Sequence, residues 1–116
     1  MNIEDLRQFY AEEIRAVANV QSEAIVAAFA KVPREKFLGP GPWQIANPDS
    51  WQAMSSAKGG GSYRTTPDAD PKHLYHNILI AIDASRHLNN GQPSGLAMWI
   101  DALEIEPGEK VLHVGC

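Results

Sequence analysis

The sequence predicts an α/β fold: N-terminal helices and a short β-hairpin leading into the first βα unit of an open parallel sheet, left incomplete within 116 residues. Three observations predict it. Apolar residues recur three or four apart in the first thirty or so positions, as on a helix face buried against a neighbour. A second apolar stripe, Leu96, Trp99, Ile100 and Leu103, follows a Gly/Pro loop. After it, Lys110-Val111-Leu112-His113-Val114 has the composition of a short buried strand, with Gly115 beyond its carboxyl end. In open α/β sheets that end of a strand is where nucleotide-like ligands bind.

From Asn2 to about Val20 the stripe is Leu6, Tyr10, Ile14, Val17 and Val20. Asn2 suits a helix N-cap, and Glu4 and Asp5 suit the positive end of the helix dipole. Ser22 reads as a second N-cap, with Ile25, Val26 and Phe29 on one face and Pro33 stopping the helix near Lys31. The two helices are expected to pack as a pair. Gly39 to Pro67 is rich in Gly, Pro, Ser and Asn and holds no lasting period, so it reads as an irregular loop. Trp43, Trp51, Tyr63 and Arg64 within it suit packing against the helices or a lid over a site. Lys58-Gly59-Gly60-Gly61-Ser62 is not a phosphate-binding loop, because no Gly-Lys-Ser/Thr follows at the required spacing.

Tyr75 to Leu88 is β-prone at Ile78-Leu79-Ile80-Ala81-Ile82, with Asp83-Ala84-Ser85-Arg86 as a turn or second limb. His73 and His76 are spaced like a metal pair on a helix, but no third and fourth ligand can be placed, and no metal site is expected. Pro93 suits the first turn of the next helix, where its missing N–H is harmless. Glu106-Pro107-Gly108-Glu109 is turn chemistry. Two units are expected, residues 1–72 and 73–116.

Composition narrows the function classes. The net charge is −4 and no basic run occurs, which disfavours binding to nucleic-acid phosphates. The single cysteine, Cys116, excludes an internal disulfide and suits a reducing, cytoplasmic location. No membrane span or signal-peptide pattern is present in these residues. A doubly wound sheet needs several βαβ units of roughly 30 residues each. The expectation is therefore the front part of a longer protein, or else a chain cut short before its cofactor loop. Exposed sheet edge and apolar helix surface would then favour self-association.

Three segments carry a family resemblance. PGEKVLHVGC, residues 107–116, resembles the first strand and first glycine of S-adenosylmethionine-dependent methyltransferases, whose P-G-x-x-V-L-x-x-G run is followed by C/T/S-G-x-G. Residues 28–38, AFAKVPREKFL, are similar to the A-F/M-x-x-V-P-R-E-x-F-V/L segment of the protein-L-isoaspartate O-methyltransferases. Val32 and Phe37 would cover apolar surface beside a proline-set bend, while Arg34 and Glu35 would face water or pair locally. Asn90-Gly91-Gln92-Pro93 occupies the position of that family's G-x-T-I-S-x-P loop. The resemblance covers about residues 20–38 and 74–116.

The resemblance implies a Rossmann-like sheet, S-adenosylmethionine as cofactor, and a protein or small-molecule methyl acceptor, with isoaspartyl carboxyl methylation as the family activity. It implies cofactor contacts from Asn90, Gly91, Gln92, Pro93, His113 and Gly115. Two departures stand out: Gly91 replaces the loop's hydroxyl residue, and His113 replaces the acidic residue often found in the first strand. No catalytic base can be assigned, and Asp83, the formal candidate, suits a turn. Two rivals are a dinucleotide-dependent oxidoreductase, whose first strand also ends in a Gly loop, and a non-catalytic interaction module built on the helical pair and aromatic loop.

Overall fold

The computed structural model describes residues 1–46 and 63–115; the expectations for Trp51, Lys58–Ser62 and Cys116 lie outside the described residues. The described residues combine three α-helices with two small antiparallel sheets. Helix α1 spans Ile3–Ala18, with the Asn2 side chain accepting from Asp5 N–H at 2.9 Å. Helix α2 spans Glu23–Lys31, capped by the Ser22 hydroxyl. Both starts fall where the capping chemistry places them. Helix α3 spans Pro93–Ala102 with its proline in the first turn.

Tyr10 and Ile14 of α1 are buried with Val20, Val26, Tyr75 and Ala97, so α1 meets α2 along one side and α3 along another. Arg15 fastens α1 to α2, donating from Nη1 and Nη2 to the two Glu23 oxygens at 2.5 and 2.8 Å. A carboxylate near the end of α3 does the same for α2. Asp101 accepts from Gln21 and Ser22 N–H, both at 3.0 Å, placing negative charge where the α2 amides have no helical partner.

The irregular reading of Gly39–Pro67 is corrected at its two ends. Strand β1, Gln44–Ala46, pairs antiparallel with β2, Tyr63–Thr65. Strands three residues long, with only Ile45 fully buried, are too short to print an alternation. Gly41 lies so close to the backbone of Ala69 that a Cβ there would stand 2.9 Å from its Cα. The second hairpin falls in the expected region but starts three residues later than its most β-prone text, Ile78–Ile82. Strand β3, Ala81–Asp83, pairs with β4, Leu88–Asn89, around a 3-10 turn at Ala84–Arg86. Ile80, wholly buried, bridges to Ile45 and joins the two hairpins over a second core with Trp43 and Leu74.

The expected strand at Lys110–Val114 is not formed. The preceding turn is as expected: Glu109 N–H donates to the Glu106 carbonyl at 3.1 Å, and Gly108 has φ +86°. The residues beyond it are irregular and exposed, Leu112 by 87% and Val114 by 83%. A strand obtains its hydrogen bonds from a neighbour, and no described segment lies alongside this one in a ladder. The α3 stripe is also mostly uncovered, with Trp99 69% and Leu103 62% exposed; Ala97 makes the buried contact instead.

Replacing Asp101 by Ala removes both bonds to the start of α2 and is expected to cost about 1–2 kcal/mol. Urea unfolding would show this as a lower midpoint with an unchanged slope.

Candidate functional site

The turn before α3 is held by its own amides. Asn90 N–H donates to the Ile80 carbonyl at 3.0 Å, and its side-chain oxygen accepts from Ile80 N–H at 2.8 Å, fixing the turn to the hairpin core. Asn89 Oδ1 accepts from Gly91 N–H at 2.9 Å. Gly91 has φ +78°, and a Cβ there would press to 3.3 Å of Leu96 Cδ1. Gln92 is the N-cap residue of α3 but caps with its backbone only, its carbonyl accepting from Leu96 N–H at 3.1 Å. The missing side-chain cap comes from a distance: Asn77 Oδ1 accepts from Ser94 N–H at 2.9 Å.

Asn90, Gly91 and Pro93 form one wall of a cavity of about 300 Å³. Tyr10, Phe29, Val32 and Arg34 line it as well, with Leu96 and Ile100 of α3. The resemblance-bearing VPRE segment and the NNGQP turn thus face one space. Its surface is almost wholly apolar. His113 and Gly115 are not part of this wall; they lie in the exposed terminal stretch, where Gly115 has φ +84°. Of the six residues expected to hold a cofactor, three line the cavity, Gln92 starts the helix behind it, and two stand apart.

The expectation that Arg34 and Glu35 face water or pair locally is corrected: both are half-buried and their partners are distant in sequence. Arg34 donates from Nη1 to the carbonyls of Leu74 and of His76 (3.1 Å) and from Nη2 to Ile78 O at 3.4 Å, and its Cζ lies 5.3 Å from the Tyr10 ring centre. Burial pulls its pKa below the ordinary guanidinium value. Glu35 meets Arg7 Nη2 at 2.6 Å and accepts a short hydrogen bond from the Tyr75 hydroxyl. That hydroxyl also accepts from Arg7 Nε at 2.9 Å and from Arg34 N–H at 3.1 Å. Burial alone would raise the Glu35 pKa, but the bonds from Tyr75, its own backbone N–H and Arg7 together outweigh burial and hold it below 4.5. The only local hint was two charges set within VPRE, beside apolar residues.

His73 Nε2 lies 2.8 Å from Asp68 Oδ1, while His76 is exposed. Among the described residues no group of three or more His, Cys, Asp or Glu side chains is placed to hold a metal ion. Asp83 takes the turn role, accepting from Ser85 N–H at 3.1 Å and from its hydroxyl at 2.6 Å.

The sequence matches no protein-family model, and no curated protein and no solved structure matches it.

Two outcomes follow from this geometry. Because the folded Glu35 pKa lies below its unfolded value near 4.5, its contribution to stability is full above that pH and is lost as pH falls through the folded value. Acid unfolding of Glu35→Gln should therefore show a shallower pH dependence than the parent below pH about 4.5. At the turn, Gly91→Ala forces a side chain into positive φ against Leu96 and is expected to cost about 1–2 kcal/mol, measured by thermal or urea unfolding.

Proposed function

We propose that this chain is the N-terminal part of an S-adenosylmethionine-dependent methyltransferase of the protein-L-isoaspartate O-methyltransferase kind. The observation that supports the reading most directly is the cavity wall. Val32 and Arg34 of VPRE line the same cavity as Asn90, Gly91 and Pro93 of NNGQP. Two segments chosen for their likeness to one family, and far apart in the sequence, are spatial neighbours. The third segment, PGEKVLHVG, enters the reading through its sequence alone.

In this reading the Asn90–Pro93 turn is a backbone-lined flap over the sulfonium side of the cofactor, and Gly91 lets the backbone approach closely. The turn fits that role, since its geometry is already set by Ile80, Asn89 and Asn77. His113 and Gly115 fit it only when residues 110–114 pair with further strands of a longer chain. Gly115 would then start the loop that meets the cofactor's amino-acid half with N–H groups.

The cofactor supplies an electrophilic methyl group on sulfur. The protein's part is alignment of an in-line displacement and exclusion of water. A carboxylate acceptor needs no proton removed, which agrees with a site in which Asp83 is engaged in a turn and no base is assigned. Isoaspartyl carboxylates are the acceptor that the resemblance implies, and Gly91 in place of a hydroxyl residue bears on how well they are held. A cytoplasmic location and self-association through uncovered apolar surface belong to the same proposal; no helix among the described residues is long and apolar enough to cross a membrane.

A second reading, the non-catalytic interaction module, draws support from the exposed face of α3, where Trp99 and Leu103 meet solvent.

Isothermal titration with S-adenosylmethionine separates the two. The 116-residue chain is expected to bind weakly or not at all, and a longer chain completing the sheet to bind clearly. Absence of binding by the longer chain would favour the interaction module. A methyl-transfer assay on an isoaspartyl peptide then reports whether Gly91 has removed repair activity.

A further inference from the structure

The cavity between α2 and α3 contains a polar group that the fold leaves unused. Tyr10 is 3% exposed, packed by its ring against Phe29 and Tyr75, and is among the cavity-lining residues. Among the described residues its hydroxyl has no hydrogen-bond partner, unlike that of Tyr75 in the same cluster. No fully enclosed side-chain polar atom among the described residues lacks a partner. The Tyr10 hydroxyl therefore keeps a small accessible surface, on a residue that lines the cavity. A desolvated hydroxyl without a partner is costly in a folded protein. A ligand acceptor would remove that cost.

The other polar contributors to the wall are also donors. Asn90 has its oxygen engaged by Ile80 N–H, and its side-chain NH2 has no partner among the described residues. Arg34 bonds only to neutral carbonyls, and no carboxylate among the described residues lies within ion-pair distance of it, whereas Arg7 and Arg15 each have a glutamate. Burial pushes the Tyr10 pKa up to about 12, so at neutral pH the hydroxyl is a neutral donor. One guanidinium charge and two donor groups, from Tyr10 and Asn90, among otherwise apolar lining residues are complementary to a single anionic acceptor group.

We infer that this cavity binds a small monocarboxylate with an apolar body. The ring or branched chain lies against Phe29, Leu96 and Ile100, and the carboxylate turns toward the Tyr10 hydroxyl, the Asn90 amide and the Arg34 charge. A volume of about 300 Å³ suits one ring with a short tail. The inference does not rest on the methyltransferase reading and requires no cofactor.

The test uses 3-phenylpropionate as probe and its neutral amide, 3-phenylpropionamide, as control, each titrated into the 15N-labelled full chain. The acid is expected to shift the amide resonances of Gly91, Leu96 and Ile100 and to bind about tenfold more tightly than the amide. Tyr10→Phe keeps the ring and should weaken the acid about tenfold. Ala28→Phe, at an exposed position on the cavity rim, should abolish binding while the unfolding midpoint holds. If that variant is destabilised, Tyr10→Phe decides alone. Equal binding of acid and amide, no shifts at millimolar acid, or indifference to Tyr10→Phe would overturn the inference.

Discussion

Two segments distant in sequence from Tyr75, and from each other, converge on its hydroxyl. It donates to Glu35 and accepts from Arg7 of α1 and from the backbone of Arg34. Its ring meanwhile meets Tyr10 edge-on, at 5.7 Å between centres. The helical core and the hairpin core are joined here, because Leu74, the neighbouring residue, is wholly buried in the second core. Arg34 completes the joint by holding the carbonyls of Leu74, His76 and Ile78, groups that no strand or helix satisfies. A buried joint of this kind is satisfied only when every member is present, so its parts act as a unit rather than as separate bonds.

From that joint the position of the cavity follows. Arg34 and Tyr10 are fixed on one side. On the other, Asn90 is tied to Ile80, which lies in the core that Leu74 shares. The turn between them needs Gly91 at positive φ, then a helix start completed by Asn77. The resemblance-bearing segments thus owe their proximity to polar contacts, with apolar surface filling what lies between. An ordinary helical pair alone would not bring VPRE to NNGQP.

The helices were legible because their information is local. Asn2, Ser22 and Pro93 mark starts by chemistry that acts within one turn, and Tyr10, Ile14 and Val26 fall on the faces that are buried. Short strands carry no comparable signal: Ile45 is the one residue of β1 buried outright, and one residue has no period. Lys110–Val114 had the composition of a strand, but composition does not supply a ladder partner, and the segment remains exposed. The turn at Asn89–Pro93 was legible from Asn and Gly. The Arg7–Glu35–Tyr75 cluster was not, because charged residues are ordinarily solvated and nothing local in the sequence links positions so far apart. For the same reason the unused hydroxyl of Tyr10 was hidden within what reads as plain helix packing.

Asp101 gives the molecule a mechanical property. It sits near the far end of α3 and grips the first amides of α2, while Leu96 and Ile100 of α3 and Phe29 of α2 face the cavity between the two rods. The carboxylate therefore behaves as a strut at one end of a wedge. Held at this end of α3, away from the Asn90–Pro93 turn, the two helices keep a set spacing where the chain enters α2.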